Sequence, residues 1–176
     1  AMRSPLRLLL ALIIAAALSG CGFHLRGAGS GNLPYKAMYI ALPDTADVNI
    51  WLTRYIKASG STQIAEDPKL ADAVFQQLSD NRLKSILSVN AQGRVSEYRL
   101  QLTYTFRIVN QKGQVLVPPN EVAITRDVSY DDSNILAKES EENLLWRDMT
   151  GDLVNQIMRR LSIIKPKNPD AEEDDE

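Results

Sequence analysis

The chain has 176 residues, 20 basic and 22 acidic side chains, a formal charge of −2 and 44% hydrophobic residues, enough for one ordinary domain with a packed core. A single cysteine, Cys21, excludes an intramolecular disulfide and a cysteine-built metal site. A single histidine, His24, excludes a multi-histidine metal centre and histidine catalysis on a paired scaffold. No lysine- and arginine-dense stripe is present, so nucleic acid is not an expected partner.

Arg3 and Arg7 precede an unbroken apolar run at residues 8–18 (LLLALIIAAAL). Eleven residues make about 16 Å of helix, too short to span a bilayer but suited to the apolar region of a secretory signal. Residues 18–21 (LSGC) resemble the bacterial lipobox, in which the cysteine thiolate takes a lipid and becomes the new N-terminus. The alternative is a buried N-terminal helix with Cys21 in the core, but that would not need basic, apolar and small–Cys segments in this order. The expected organisation is a lipoprotein signal peptide at 1–20, a lipidated tether at 21–33, a single domain at 34–165 and an acidic disordered tail at 166–176. The cut would leave 156 residues with a charge of −4; the six acids from Asp170 to Glu176 contribute −6, so residues 21–169 carry about +2. Gly22, following Cys21, resembles the sorting pattern for export to the outer membrane.

Residues 35–42 (YKAMYIAL) read as a strand bracketed by Pro34 and Pro43. Residues 48–58 place Val48, Trp51, Leu52, Tyr55 and Ile56 at helical spacing, with Asp44 or Thr45 available as a cap and Ser59-Gly60 as the stop. Short strands are expected at 61–65 and 73–78, separated by a turn at 66–70. Residues 83–90 and 94–110 form a hairpin around Ala91-Gln92-Gly93. On the second arm Tyr98, Leu100, Leu102, Tyr104, Phe106 and Ile108 alternate with polar residues, including Arg99, Thr103, Thr105 and Arg107. Gln111-Lys112-Gly113 turns the chain into a strand at 114–117, which Pro118-Pro119 interrupts, and 121–130 resumes it. There Arg126 shares a face with Val122, Ile124, Val128 and Tyr130, as an edge arginine with its head in water or as a ligand contact. Asp131 to Asn134 read as a turn and helix cap. Residues 135–161 then form one long helix whose stripe is Leu145, Met149, Leu153, Ile157 and Leu161, widened by Leu144, Val154 and Met158.

The element order β-α-β-β-β-β-β-α gives an α+β fold, a two-layer sandwich in which a mostly antiparallel sheet packs against two amphipathic helices. Catalysis is not expected: Cys21 is consumed by lipid and His24 lies in the tether, which leaves no base for nucleophilic schemes. Asp127, Asp131 and Asp132 are the only acidic group on which a hydrolase reading could rest, and no periodic spacing sets them across a cleft. Neither cofactor nor metal is expected.

Residues 21–27 (CGFHLRG), together with the lipobox, resemble the mature N-terminus of the LptE family, also called rare lipoprotein B, of lipopolysaccharide-assembly lipoproteins. Glu97-Tyr98, the Gly113 turn and the Ala137-Lys138-Glu139 start of the last helix also sit where that family's pattern has them. The resemblance implies a non-catalytic protein lipid-anchored through Cys21 on the periplasmic side of the outer membrane. Such a protein sits as a plug in the lumen of the LptD β-barrel, one to one, helps that barrel assemble, and binds lipopolysaccharide during transport to the cell surface. Phosphate recognition would fall to arginines on or beside the strands: Arg94, Arg99, Arg107 and Arg126. Arg94 and Arg126 are nearest to the basic positions implicated in the family, and for each of the four a solvated or lumen-facing role fits as well. The alternative is a periplasmic adaptor lipoprotein that binds another envelope protein by strand addition at its sheet edge, an idea motivated by the long strand at 94–110.

Overall fold

The structure, a computed structural model, describes residues 32–130 and 135–166. The signal peptide, Cys21, most of the tether, the cap at 131–134 and the acidic tail after Pro166 lie outside the described residues.

Strand β1 spans Ala37–Ile40, helix α1 Asp47–Ser59, β2 Gln63–Ile64, β3 Ala73–Val89, β4 Val95–Val109, β5 Val115–Ser129 and helix α2 Ile135–Ile163, with a 3₁₀ turn at Pro68–Leu70. The sheet order is β2-β1-β3-β4-β5. β1 runs parallel to β2 and β3, and the β3–β4 and β4–β5 pairs are antiparallel. The α+β architecture and the mostly antiparallel sheet therefore hold.

Both helices cover one face. Met38, Phe75, Leu100, Leu102, Tyr104, Phe106, Ile108 and Val122 project from the sheet into a core closed by Val48, Leu52 and Ile56 of α1 and by Met149, Leu153, Ile157 and Leu161 of α2. Each such side chain contributes roughly 1.5–3 kcal/mol when fully buried. Phe75 and Phe106 stack across the β3–β4 pair at 5.4 Å. The four-residue repeat of α2 is thus its core stripe, but Leu144, expected to widen it, is 58% exposed. It lies one helical step beyond the arc that the sheet and α1 cover, while Leu145 on the covered side is packed against the core.

Three local expectations change. The strands expected at 73–78 and 83–90 are one strand, β3, because β4 pairs with Ser79, Asp80, Asn81 and Arg82 as it does with their neighbours. Polar residues with weak strand propensity are carried there by an extended ladder, with a register shift between Gln77 and Ser79 absorbing one extra residue. Pro118 and Pro119 do not end β5. They sit on the outermost strand, beside a register shift between Phe106 and Ile108, where a missing N–H disturbs little. Finally, α1 has Ala46 at its N-cap without a side-chain bond, so neither Asp44 nor Thr45 caps it. Asn49 instead donates from Nδ2 to the carbonyls of Leu42 and Pro43, tying the incoming loop to the first turn.

The two hairpin turns share one construction. Asn90 Oδ1 accepts from the backbone N–H of Gln92 and of Arg94, and Asn110 Oδ1 accepts from those of Lys112 and Gln114. Gly93 and Gly113, each three residues after its asparagine, have φ of 76° and 81°, the left-handed region that favours glycine.

Candidate functional site

The sheet face away from the helices carries Ser79, Asn81, Leu83 and Ser85 from β3, Gln101, Thr103 and Thr105 from β4, and Ala123 and Thr125 from β5, Leu83 being the one large apolar side chain among them. Alternation puts these mostly polar side chains opposite the core residues, and no described element covers them. Arg99 and Arg107 lie on this same face. Arg99 makes a two-pronged pair with Asp127 of β5, Nε–Oδ1 2.7 Å and Nη2–Oδ2 2.9 Å. The hydrogen bonds from Arg99 hold the Asp127 carboxyl below its ordinary range, and the same pairing raises Arg99. Arg107 donates from Nε to Gln76 Oε1 at 2.8 Å.

The other two arginines go elsewhere. Arg126 lies on the helix side of edge strand β5, exposed, with its guanidinium paired to Asp152 of α2 and donating to its neighbour's carbonyl, Thr125 O. Arg94 follows the β3–β4 turn, where it is exposed. The four arginines therefore do not converge: two share the polar face, one lies under α2 and one stands at the hairpin end.

A different set of residues does converge. Where the first turns of α2 cross the sheet, a cleft of about 110 Å³ is lined by Lys84 of β3, Tyr98 and Leu100 of β4, Val128 and Ser129 of β5, Tyr130, and Lys138, Glu139 and Glu142 of α2. Lys84 Nζ reaches Glu142 Oε2 at 2.6 Å and sits 4.3 Å over the Tyr98 ring. Tyr98 and Tyr130 meet edge-to-face at 5.1 Å. Lys138 donates to Glu141 Oε2 at 2.9 Å and to the Ser129 carbonyl at 3.4 Å. Two ammonium groups, each paired with a glutamate, and the carboxylates of Glu139 and Glu142 thus rim an aromatic and aliphatic wall, so an anion joined to an apolar group would enter by exchanging with those exposed ion pairs.

Sequence reasoning missed Lys84 and Lys138 because it sought arginines. One signal was available for Lys138: it stands in the first turn of a helix, where the dipole favours acids, so its position suggests a task other than helix stability. Asp127, the one described member of the acidic group considered for hydrolysis, is committed to Arg99 on an exposed sheet face.

The family model for lipopolysaccharide assembly, LptE, matches residues 35–161. The chain is 29% identical over 164 residues to the LPS-assembly lipoprotein LptE of Pectobacterium atrosepticum, covering 88% of this chain and 82% of that one. Among solved structures, a lipoprotein B from Nitrosomonas europaea superposes with a TM-score of 0.65 at 34% identity, over 80% of this chain and 90% of that one. A minor lipoprotein from Acinetobacter baumannii gives 0.65 at 28% identity, over 78% and 99%. The family match takes in every described strand, α1 and α2 as far as Leu161, including both asparagine–glycine turns and all of the lysine cleft. On this evidence the chain belongs to the LptE family of lipopolysaccharide-assembly lipoproteins.

Proposed function

We propose that the protein is a non-catalytic outer-membrane lipoprotein, anchored through Cys21 on the periplasmic side, that plugs the LptD β-barrel one to one, helps it assemble and binds lipopolysaccharide on its way to the cell surface. The observation that carries this reading is the uncovered polar sheet face. A porin-type lumen is lined with polar side chains, and a plug meets it best with hydroxyls, amides and paired charges. Ser79, Thr103, Thr105, Thr125 and the Arg99–Asp127 pair are of that kind.

Lipopolysaccharide joins phosphates to acyl chains. The cleft between Lys84 and Lys138 offers cations at its rim and Tyr98, Leu100 and Val128 on its wall, which supports it as the contact for such a ligand. Arg94 and Arg126 extend the cationic character along the hairpin and the edge strand, and Arg99 and Arg107 contact either the lumen or the ligand.

The test is residue-specific photocrosslinking in intact cells from positions 94, 98, 107, 126 and 138. Adducts to one large barrel protein from 107, with lipopolysaccharide adducts from 98 or 138, are expected. If every position stays silent or captures only soluble periplasmic proteins, the reading fails.

A further inference from the structure

The long strand expected to offer an edge, β4, is interior, flanked by β3 and β5 over its whole length. Two long edges are open among the described residues: the outer side of β5, which Pro118 and Pro119 interrupt, and the outer side of β3 beyond its short pairing with β1. β1 pairs with β3 only through Ala73, Val74 and Phe75, so the remainder of that strand, to Val89, has β4 on one side and no strand on the other among the described residues. The register identifies which backbone groups are open. Tyr130 donates to the Ser96 carbonyl, so even-numbered residues of β4 face β5 and odd-numbered ones face β3. Ser79, Asn81, Leu83 and Ser85 then exchange hydrogen bonds with Thr105, Thr103, Gln101 and Arg99. The N–H and C=O groups of Asp80, Arg82, Lys84 and Ile86 point outward.

Large apolar side chains flank these groups: Leu83 is 53% exposed, Ile86 61% and Val89 57%. Such an edge is a template for another strand unless something guards it. Here the guard is selective. A second copy pairing antiparallel about the midpoint, Leu83, would set Arg82 opposite Lys84 twice, like charge against like charge on one face. A strand with acids on that face would meet no such repulsion. Arg82 lies over Trp146 and 3.7 Å from Asp80, and Lys84 pairs with Glu142, but exposed ion pairs of this kind exchange readily.

We infer that the outward edge of β3 from Asp80 to Ile86 takes an extended segment of another protein as a sixth strand, with acidic side chains toward Arg82 and Lys84 and apolar ones beside Leu83. This goes beyond the plug reading and does not depend on the lysine cleft holding lipopolysaccharide.

The probe is a fluorescein-labelled twelve-residue peptide alternating glutamate and valine, titrated into the full-length lipoprotein in detergent. Saturable binding is expected, with amide exchange at Arg82, Lys84 and Ile86 slowed about tenfold and no change at the β4 amides, which are already bonded. Arg82→Pro removes one outward N–H without touching the β3–β4 ladder and should weaken binding about tenfold; Arg82→Thr keeps that N–H and should weaken it about threefold. If Arg82→Pro lacks a cooperative thermal transition, Ile86→Pro makes the same test. Absence of protection at the three amides, equal binding by the proline and threonine variants, or a dimer that excludes the peptide would each overturn the inference.

Discussion

At the scale of single residues, charge type matters less than where the backbone carries the charge. Arginine was the expected phosphate ligand because of its fork, yet the fork of Arg99 is closed on Asp127 and that of Arg107 on Gln76. Lys138 and Lys84, point charges on flexible stems held by exposed glutamate pairs, border an amphipathic cleft under the start of α2. Lys138→Glu is therefore expected to lower lipopolysaccharide binding about tenfold, since it reverses a charge where phosphate would sit. A filter-retention or crosslinking assay reads this directly, and an unchanged melting temperature would show that the loss is not one of folding. Asn90 and Asn110 are a second residue-scale case. Each side-chain oxygen satisfies two backbone donors that solvent would otherwise compete for. Asn110→Ala should destabilise by about 1 kcal/mol, seen as a lower denaturant midpoint, whereas Asn110→Asp should retain most of the stability.

Elements show how far local pattern reaches. The period of α2 was legible because five apolar residues recur every four positions, and so were its buried partners. Packing against α1 does not require Gly151 inside that helix: a Cβ there would lie 3.5 Å from Trp51 Cζ2, in ordinary contact. Gly151→Ala is accordingly expected to stabilise by up to about 1 kcal/mol, through helix propensity and without a clash, and to raise the melting temperature by a few degrees. A lower melting temperature would show that the Trp51 ring needs more room than the static contact suggests. The sequence was a poorer guide to where strands end. Ser79 to Arg82 and Pro118-Pro119 carry turn-like composition; pairing with β4 makes the first stretch extended, and the flanking pairs of Val117 with Ile108 and Asn120 with Phe106 carry β5 through the second.

For the molecule as a whole, one core closed by two helices couples the sheet's stability to buried phenols. Burial raises Tyr35 to about 12, and burial together with the charge of Asp80 raises Tyr104 further in the same direction. A folded-state pKa above the unfolded value of roughly 10 means that below pH 10 both states hold the proton and stability is complete. As pH rises from 10 toward 12, the unfolded chain releases its proton while the folded chain retains it, so stability falls across that window. Denaturant titrations at successive pH values should show the midpoint dropping from about pH 10 upward. Tyr35→Phe should flatten the drop; its hydroxyl has no hydrogen-bond partner among the described residues, so the substitution should not destabilise at neutral pH.

What the sequence determined by itself was whatever repeats within a few residues: two amphipathic helices, the period-two alternation of β4, the glycine turns, and hence a two-layer α+β fold with one apolar and one polar sheet face. These follow from the helical and pleated geometry of a single segment, which brings the same side chains to one face wherever the segment is placed. Tertiary structure decided the rest: that β3 runs unbroken, that β4 is interior and most of β3 is left with an open outer side, and that Lys84 and Lys138, 54 positions apart in the sequence, line one cleft. Each of these depends on which strand pairs with which and in what register, and such pairing is a contest between distant segments that no local period records.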